Sequence, residues 1–300
     1  MDSPRLPGPA CPTIQEGNPG RAGRPGPRVK ALKLMIFSWL RRRWRRRLLA
    51  QPFPAPWLGY LETNVAHYRR LSEAEKARLR DDLRVFCAEK DWEGCGGLEM
   101  TDEIKVTIAA QACLLVLGRE HDYYSRVQSI LVYPQAYLVP SRETGPGGLV
   151  LEGTADLIGE AHYRGPVVLS WEDVLYEGRH PRSGRNVVFH EFAHQLDMMD
   201  GAIDGTPPLE DRAQYRRWQK VMTAEYQRLI EESEQGHATL LDQYGTKDEG
   251  EFFAVATECF FCRPAAMARR HRQLYDLLRE YYRQDPAARL GDPPRPPTED

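Results

Sequence analysis

Residues 186–201 read NVVFHEFAHQLDMMDG and place His190 and His194 four apart, with Glu191 directly after the first histidine. On an α-helix, side chains four apart lie one turn apart on the same face, so both imidazoles can offer a nitrogen to one metal ion. Glu191 sits beside that face. It cannot easily reach the same ion, but it can reach a water on it, where a general base is needed. A zinc ion lowers the pKa of such a water towards about 7. The pattern therefore constrains fold as well as chemistry. The motif must lie on a helix, running from about 184 to 199, with a buried side supplied by VVF and FAHQL, and another segment must approach it. A catalytic zinc usually has three protein ligands and one open position, and the motif holds only two of them.

The third ligand has to be sought elsewhere. An extended HExxHxxGxxH pattern would need a glycine and a histidine where the chain has Asp197 and Asp200. Asp200 could stand in for that histidine, but the turn-making glycine is missing. The better candidate stretch is DEGEFFAVATECFF, residues 248–261. Glu251 opens an amphipathic helix there, and Glu258, seven residues on, faces nearly the same way. A carboxylate in so apolar a helix costs free energy unless it is paired or bound to a metal. Either glutamate could be the ligand, with the other supporting a histidine.

The rest of the chain supplies enough apolar material to bury such a site. Of 300 residues, 41% are hydrophobic, which suits one large domain plus tails, or two modest domains. No apolar run is long enough to span a membrane. The six cysteines lie scattered in apolar contexts, as expected of reduced thiols in a cytoplasmic protein rather than of a disulfide framework. Cys259 and Cys262 form a lone CxxC whose surroundings, ECFFC, predict buried helix thiols.

Charge is unevenly spread. Residues 1–50 hold twelve Lys and Arg against two Asp and Glu, and the remainder holds 29 against 41. Residues 1–34 are rich in Pro, Gly and Arg and are expected to be a disordered head. Residues 35–55 form a basic amphipathic segment, in which Ile36, Leu40, Trp44 and Leu48 recur every four residues among six arginines. Such a helix could lie on an anionic membrane surface, grip an acidic partner, or dock its tryptophans on the body. No direct nucleic-acid binding is expected. The main domain is expected over 56–286, followed by a disordered Pro-rich tail over 287–300.

Within that domain, Ser72 and Glu75 form a capping box for a helix reaching about Lys90. Thr101 or Asp102 caps a second helix that Gly118 ends. SILVYP and GPVVLSW read as strands. Beyond the motif helix, further helices are expected in 209–234, 248–262 and 264–283. Strands and helices without regular βαβ alternation predict an α+β fold, with a mixed sheet, an active-site helix, and helical N- and C-terminal parts.

Taken together, and in this order along the chain, ILVYP, GPVVLSWEDV, HEFAHQLDMMDG and EFFAVATECFF resemble the Mlc titration factor A family of bacterial zinc peptidases. The resemblance covers about residues 35–285. It implies a zincin-like metallopeptidase fold, with a catalytic core similar to that of the toxin lethal factor, and one bound Zn2+. It implies His190, His194 and Glu251 as ligands, Glu191 as base, and Tyr244, seven residues before Glu251, as a hydrogen-bond donor to the oxyanion. It also implies peptide or protein substrates, with aminopeptidase-like activity among them. A protein partner is implied too, a Mlc-type transcriptional repressor that controls sugar uptake.

Overall fold

The computed structural model describes residues 27–135, 141–144, 150–153 and 166–289. The first 26 residues of the expected head, and residues 290–300 of the expected tail, lie outside that set. The chain divides into two compact units, Met1–Arg47 and Leu48–Asp300. The described part of the first unit lies within helix α1 (Pro27–Leu49), whose last two residues belong to the second unit and which begins ahead of the expected basic segment. Trp39, Leu40 and Trp44 on it are exposed. Among the described residues, no helix is long and apolar enough to cross a membrane.

The second unit opens where Arg84 donates to the carbonyls of Leu48, Leu49 (3.3 Å) and Gln51 (2.9 Å). A guanidinium there satisfies the orphan acceptors at the end of α1. Next come α2 (Ala55–Asn64) and α3 (Glu73–Glu89). The expected capping box starts α3: the Ser72 N–H donates to Glu75 Oε2 at 2.8 Å, and the Glu75 N–H to Ser72 Oγ at 3.3 Å.

Strand β1 (Asp91–Gly94), helix α4 (Asp102–Val116) and strand β2 (Ser129–Tyr133) form a crossover unit, with β1 and β2 parallel. Strands β3 (Ser141–Thr144) and β4 (Val150–Gly153) pair antiparallel with each other. Strand β5 (Val167–Ser170) then joins β2 in parallel, with Ile130 opposite Val167 and Val132 opposite Leu169. All four of these residues are buried. The expected mixed sheet is thus, among the described residues, a parallel trio in the order β1-β2-β5 beside a separate antiparallel pair. Parallel strands require a covered crossover, and α4 provides it.

Helices make up the rest: α5 (Trp171–Arg179), α6 (Val187–Asp197), α7 (Arg212–Glu234), α8 (Glu249–Cys262), α9 (Pro264–Arg270), α10 (Arg272–Tyr282) and α11 (Pro286–Arg289). Two of them are central. Helix α4 is buried from Val106 to Val116 and α8 from Gly250 to Cys262, so both are hydrophobic nearly all round, as core helices must be. Helix α6 packs against both and buries Val188, Phe189, Phe192, Ala193 and Leu196. Phe189 meets Phe261 of α8 at 5.2 Å between ring centroids, and Phe192 meets Tyr124 at 4.8 Å. Each such side chain contributes about 1.5–3 kcal/mol by burial.

The five described cysteines are free thiols, and burial pushes Cys259 up to about 12. The CxxC is core packing, as its apolar context predicted. At the end of α4, a Cβ on Gly118 would stand 2.4 Å from the Tyr282 carbonyl oxygen and 2.5 Å from that of Arg283. Only glycine allows α10 to close on α4 there.

Candidate metal centre

The motif helix α6 is started by Asn186, whose Oδ1 accepts from the Phe189 N–H at 2.9 Å. Its next free donor, the Val187 N–H, reaches Glu177 Oε2 at 2.6 Å. Burial pushes Glu177 up to about 7, against the pull of that hydrogen bond. These two contacts satisfy donors that every helix start leaves open, and they fix where the first turn of α6 begins. His190 and His194 follow on the face turned towards α8.

Helix α8 is started in the same manner, with Asp248 Oδ1 accepting from the Glu251 N–H at 2.9 Å. Glu251 therefore occupies the first turn of α8 and is fully buried. Its Oε2 lies 2.9 Å from His190 Nε2 and 3.4 Å from His194 Nε2, and the two Nε2 atoms are 3.2 Å apart. The three side chains thus bring one donor atom each into a group that could hold a metal ion. A tetrahedral zinc site with metal–ligand bonds of about 2.0–2.2 Å has edges of about 3.3–3.6 Å. The triangle formed here is close to one face of such a site, and the donor set of two imidazoles and a carboxylate is one zinc accepts.

The electrostatics are those of a tightly packed set of charges. Burial works against a charged His190 ring, but the hydrogen bonds to Glu251 and Glu258 outweigh it, pushing the ring up to about 10. Burial likewise disfavours the Glu251 carboxylate. Hydrogen bonds from His190 and His194 overcome that cost and hold it well below the usual carboxylate range. Glu191 has no such partner. Burial pushes it up to about 7, with the nearby His190 pulling it back and the negative charges of Glu251 and Glu258 adding to the rise. A carboxyl that exchanges its proton near neutrality is suited to acid–base work.

The two glutamates of α8 take different places. Glu251 meets His190 at Nε2, whereas Glu258 Oε1 lies 2.8 Å from His190 Nδ1, on the opposite side of the ring. Asp200 belongs to neither set. It is exposed in a 3-10 turn, and its Oδ1 accepts from the Ala202 N–H at 3.0 Å. Tyr244 sits on a 3-10 turn, Gln243–Thr246, whose start is held by Asp242 Oδ1 accepting from the Tyr244 N–H at 3.0 Å. Its ring centroid lies 6.0 Å from that of His190 and its side chain is partly open to solvent. The Tyr226 hydroxyl donates to the Thr246 carbonyl at 3.0 Å and ties the turn to α7.

Sequence reasoning passed over Glu177, Asn186 and Gln111, which frame the start of α6. Asn186 carried a signal, since it is a strong N-cap residue directly before a helical apolar run. Glu177 and Gln111 carried none, because they reach the site only through tertiary packing.

Comparison with known proteins bears on what such a centre does. The pattern of the glucose-regulated metallo-peptidase M90 family matches residues 38–283. An uncharacterized protein of Synechocystis sp. is 40% identical over 246 residues, 81% of this chain and 89% of that protein. Mlc titration factor A of Serratia proteamaculans is 32% identical over 223 residues, covering 73% of this chain and 84% of its own length. The Klebsiella pneumoniae protein of the same name is 31% identical over 236 residues, covering 78% and 88%. A match running through both central helices and the whole His-His-Glu cluster makes this chain a member of the glucose-regulated M90 metallopeptidase family, to which it is joined by its likeness to the Mlc titration factor A proteins.

Proposed function

We propose that this chain is a zinc-dependent peptidase of zincin-like fold, with His190, His194 and Glu251 holding one Zn2+. The observation that carries the reading is the buried triangle of donor atoms, 2.9–3.4 Å on an edge, with Glu191 beside it. A bound zinc ion supplies a Lewis acid that polarises the scissile carbonyl and makes water acidic enough to attack near neutral pH. Glu191 takes the proton from the attacking water and delivers it to the leaving amine, which its pKa of about 7 suits. Tyr244, held on its tied-down turn next to His190, donates from its hydroxyl to the oxygen that gains charge as the carbonyl is attacked. Such a donor lowers the barrier because it is already in place when charge appears. Strand β5 pairs only with β2 among the described residues, and its outer edge receives the substrate backbone.

The substrates are peptides, and short ones are cleaved from the amino terminus. Metal analysis of the purified chain, followed by aminoacyl-nitroanilide and peptide cleavage with and without chelator, tests the reading. One zinc per chain and chelator-sensitive cleavage are expected. A chain that takes up no zinc would overturn it.

A second role rests on the relatives named Mlc titration factor A. This chain binds a transcriptional repressor of that type in the cytoplasm and so regulates sugar uptake. Capture of a Mlc-type repressor by the inactive Glu191→Gln variant is expected, and absence of capture by both forms would remove this role. The exposed Trp39, Leu40 and Trp44 among the arginines of α1 support contact with an anionic membrane surface. Full-length chain should co-sediment with vesicles rich in phosphatidylglycerol, and a Trp39→Ala, Trp44→Ala variant should not.

A further inference from the structure

The reading of the site as a metal centre leaves Glu258 without a task. It is a buried carboxylate two turns beyond Glu251 on α8. Both of its oxygens are engaged, Oε1 with His190 Nδ1 at 2.8 Å and Oε2 with the Asn186 N–H at 2.5 Å. The ring of His190 is thereby gripped from both sides by a single helix, with Glu251 at Nε2 and Glu258 at Nδ1.

The polarity of this arrangement is set by backbone groups that cannot change roles. Gln111 Nε2 donates to the carbonyls of Thr107 (3.2 Å) and Val174 (3.4 Å), so its amide has one orientation. Gln111 Oε1 must then accept, and Asn186 Nδ2 donates to it at 2.6 Å. Asn186 Oδ1 is thus turned to the Phe189 N–H, 2.9 Å away, and the Asn186 backbone N–H is left to find its acceptor in Glu258 Oε2. A carboxylate has acceptors on both oxygens and no donor. Glu258 can therefore satisfy Asn186 and still accept from Nδ1–H of His190.

We infer that Glu258 is a positioning residue that keeps the His190 proton on Nδ1 and so leaves the Nε2 lone pair free for the metal ion. A metal-binding imidazole commonly depends on such a partner for its tautomer and its orientation. This inference rests on the metal-centre reading and adds to it a residue that touches neither metal nor substrate.

Glutamine at 258 is the discriminating change, since it keeps shape but has one acceptor and one donor end. With its oxygen on the Asn186 N–H, its amide group faces Nδ1, which must then accept, moving the ring proton to Nε2 where it blocks metal binding. With the amide reversed, two buried N–H groups face each other at Asn186. Zinc affinity is measured by competition with a chromophoric chelator, on full-length wild type and Glu258→Gln. Ring-nitrogen NMR of His190 in the zinc-loaded proteins follows the tautomer. The expected results are Nδ1–H at His190 in the wild type and a loss of affinity of about 10–100-fold in the variant. Should Glu258→Gln fail to fold, Glu258→Asp supplies the comparison, with a smaller loss expected because it keeps two acceptors on a shorter stem. Equal zinc affinity in wild type and variant, or a wild-type His190 that carries no proton on Nδ1, would overturn the inference alone. A wild type that binds no zinc would instead remove the metal-centre reading beneath it.

Discussion

Replacing Glu251 with glutamine keeps the shape of the side chain and removes its charge, which separates two roles that the buried carboxylate can play. In the metal-free protein it is the partner of two imidazoles, 2.9 Å and 3.4 Å from their Nε2 atoms. Taking away one member of a buried ion pair costs about 3–5 kcal/mol. His190 can shed its proton in response, so the low end applies, about 3 kcal/mol. Because the carboxyl is held below its usual range, its contribution is present above the unfolded value of about 4.3 and is lost as pH falls through the folded pKa. A measurement at about pH 7.5 lies inside that window. In chelator, the variant should then melt about 6–12 °C below wild type, at about 2–4 °C per kcal/mol for a chain of this size.

Added zinc should separate the two proteins further. At a free zinc concentration of about 1,000 times its Kd, wild type gains about 4 kcal/mol. A variant left with two imidazoles and a hundredfold weaker site gains about 1.4 kcal/mol at the same concentration. The gap between them should therefore widen from about 3 to about 6 kcal/mol, read as two pairs of thermal or denaturant midpoints. If zinc raises both midpoints by the same amount, Glu251 is only a buried ion-pair partner, and its assignment as third ligand is wrong.

Three other outcomes follow from the same site, and a fourth from the packing around Gly118. Glu191→Gln should lower kcat by about 10²–10⁴-fold while zinc binding stays intact, since the base is lost and the ligands are not; full turnover in that variant would end its assignment as base. Tyr244→Phe should cost about 10²–10³-fold in kcat with KM little changed, as expected for a donor used mainly in the transition state, whereas a change confined to KM would place Tyr244 in substrate binding. Activity should rise with pH as Glu191 loses its proton, with an acid limb at or below its metal-free value of about 7, because a bound cation favours the carboxylate. A pH–rate profile of kcat/KM that shows no acid limb down to about pH 5 would contradict the role of Glu191. Far from the centre, Gly118→Ala should destabilise the chain by about 1–3 kcal/mol, because its Cβ would meet two backbone carbonyls that have nowhere to move.

Much of the fold was legible where local chemistry decides local structure. Ser72 and Glu75 announced α3, Thr101 announced α4, and the apolar β-branched runs announced β2 and β5. Strand β1 was not, because Asp91, Trp92, Glu93 and Gly94 show no apolar alternation. They are a strand only because β2 offers them a parallel edge. The crossover through α4 was missed with it. The burial of α8 on nearly every side was hinted at by its composition, but which neighbours cover it was not.

The candidate centre divides along the same line. That His190 and His194 share a face, with Glu191 beside it, follows from the pitch of a helix, and any chain in which residues 187–197 are helical must have it. Membership in the metallopeptidase family is equally a property of the chain, read from separated motifs in order. The difference between Glu251 and Glu258 is not. They stand seven residues apart on one face of one helix, and helix periodicity does not tell them apart. Only the depth and crossing of α8 against α6 puts the first at Nε2 of His190 and the second at Nδ1. Helix geometry repeats every 3.6 residues, so it selects a face. Choosing one turn over another on that face takes a second helix, packed at a fixed height by side chains from the whole core.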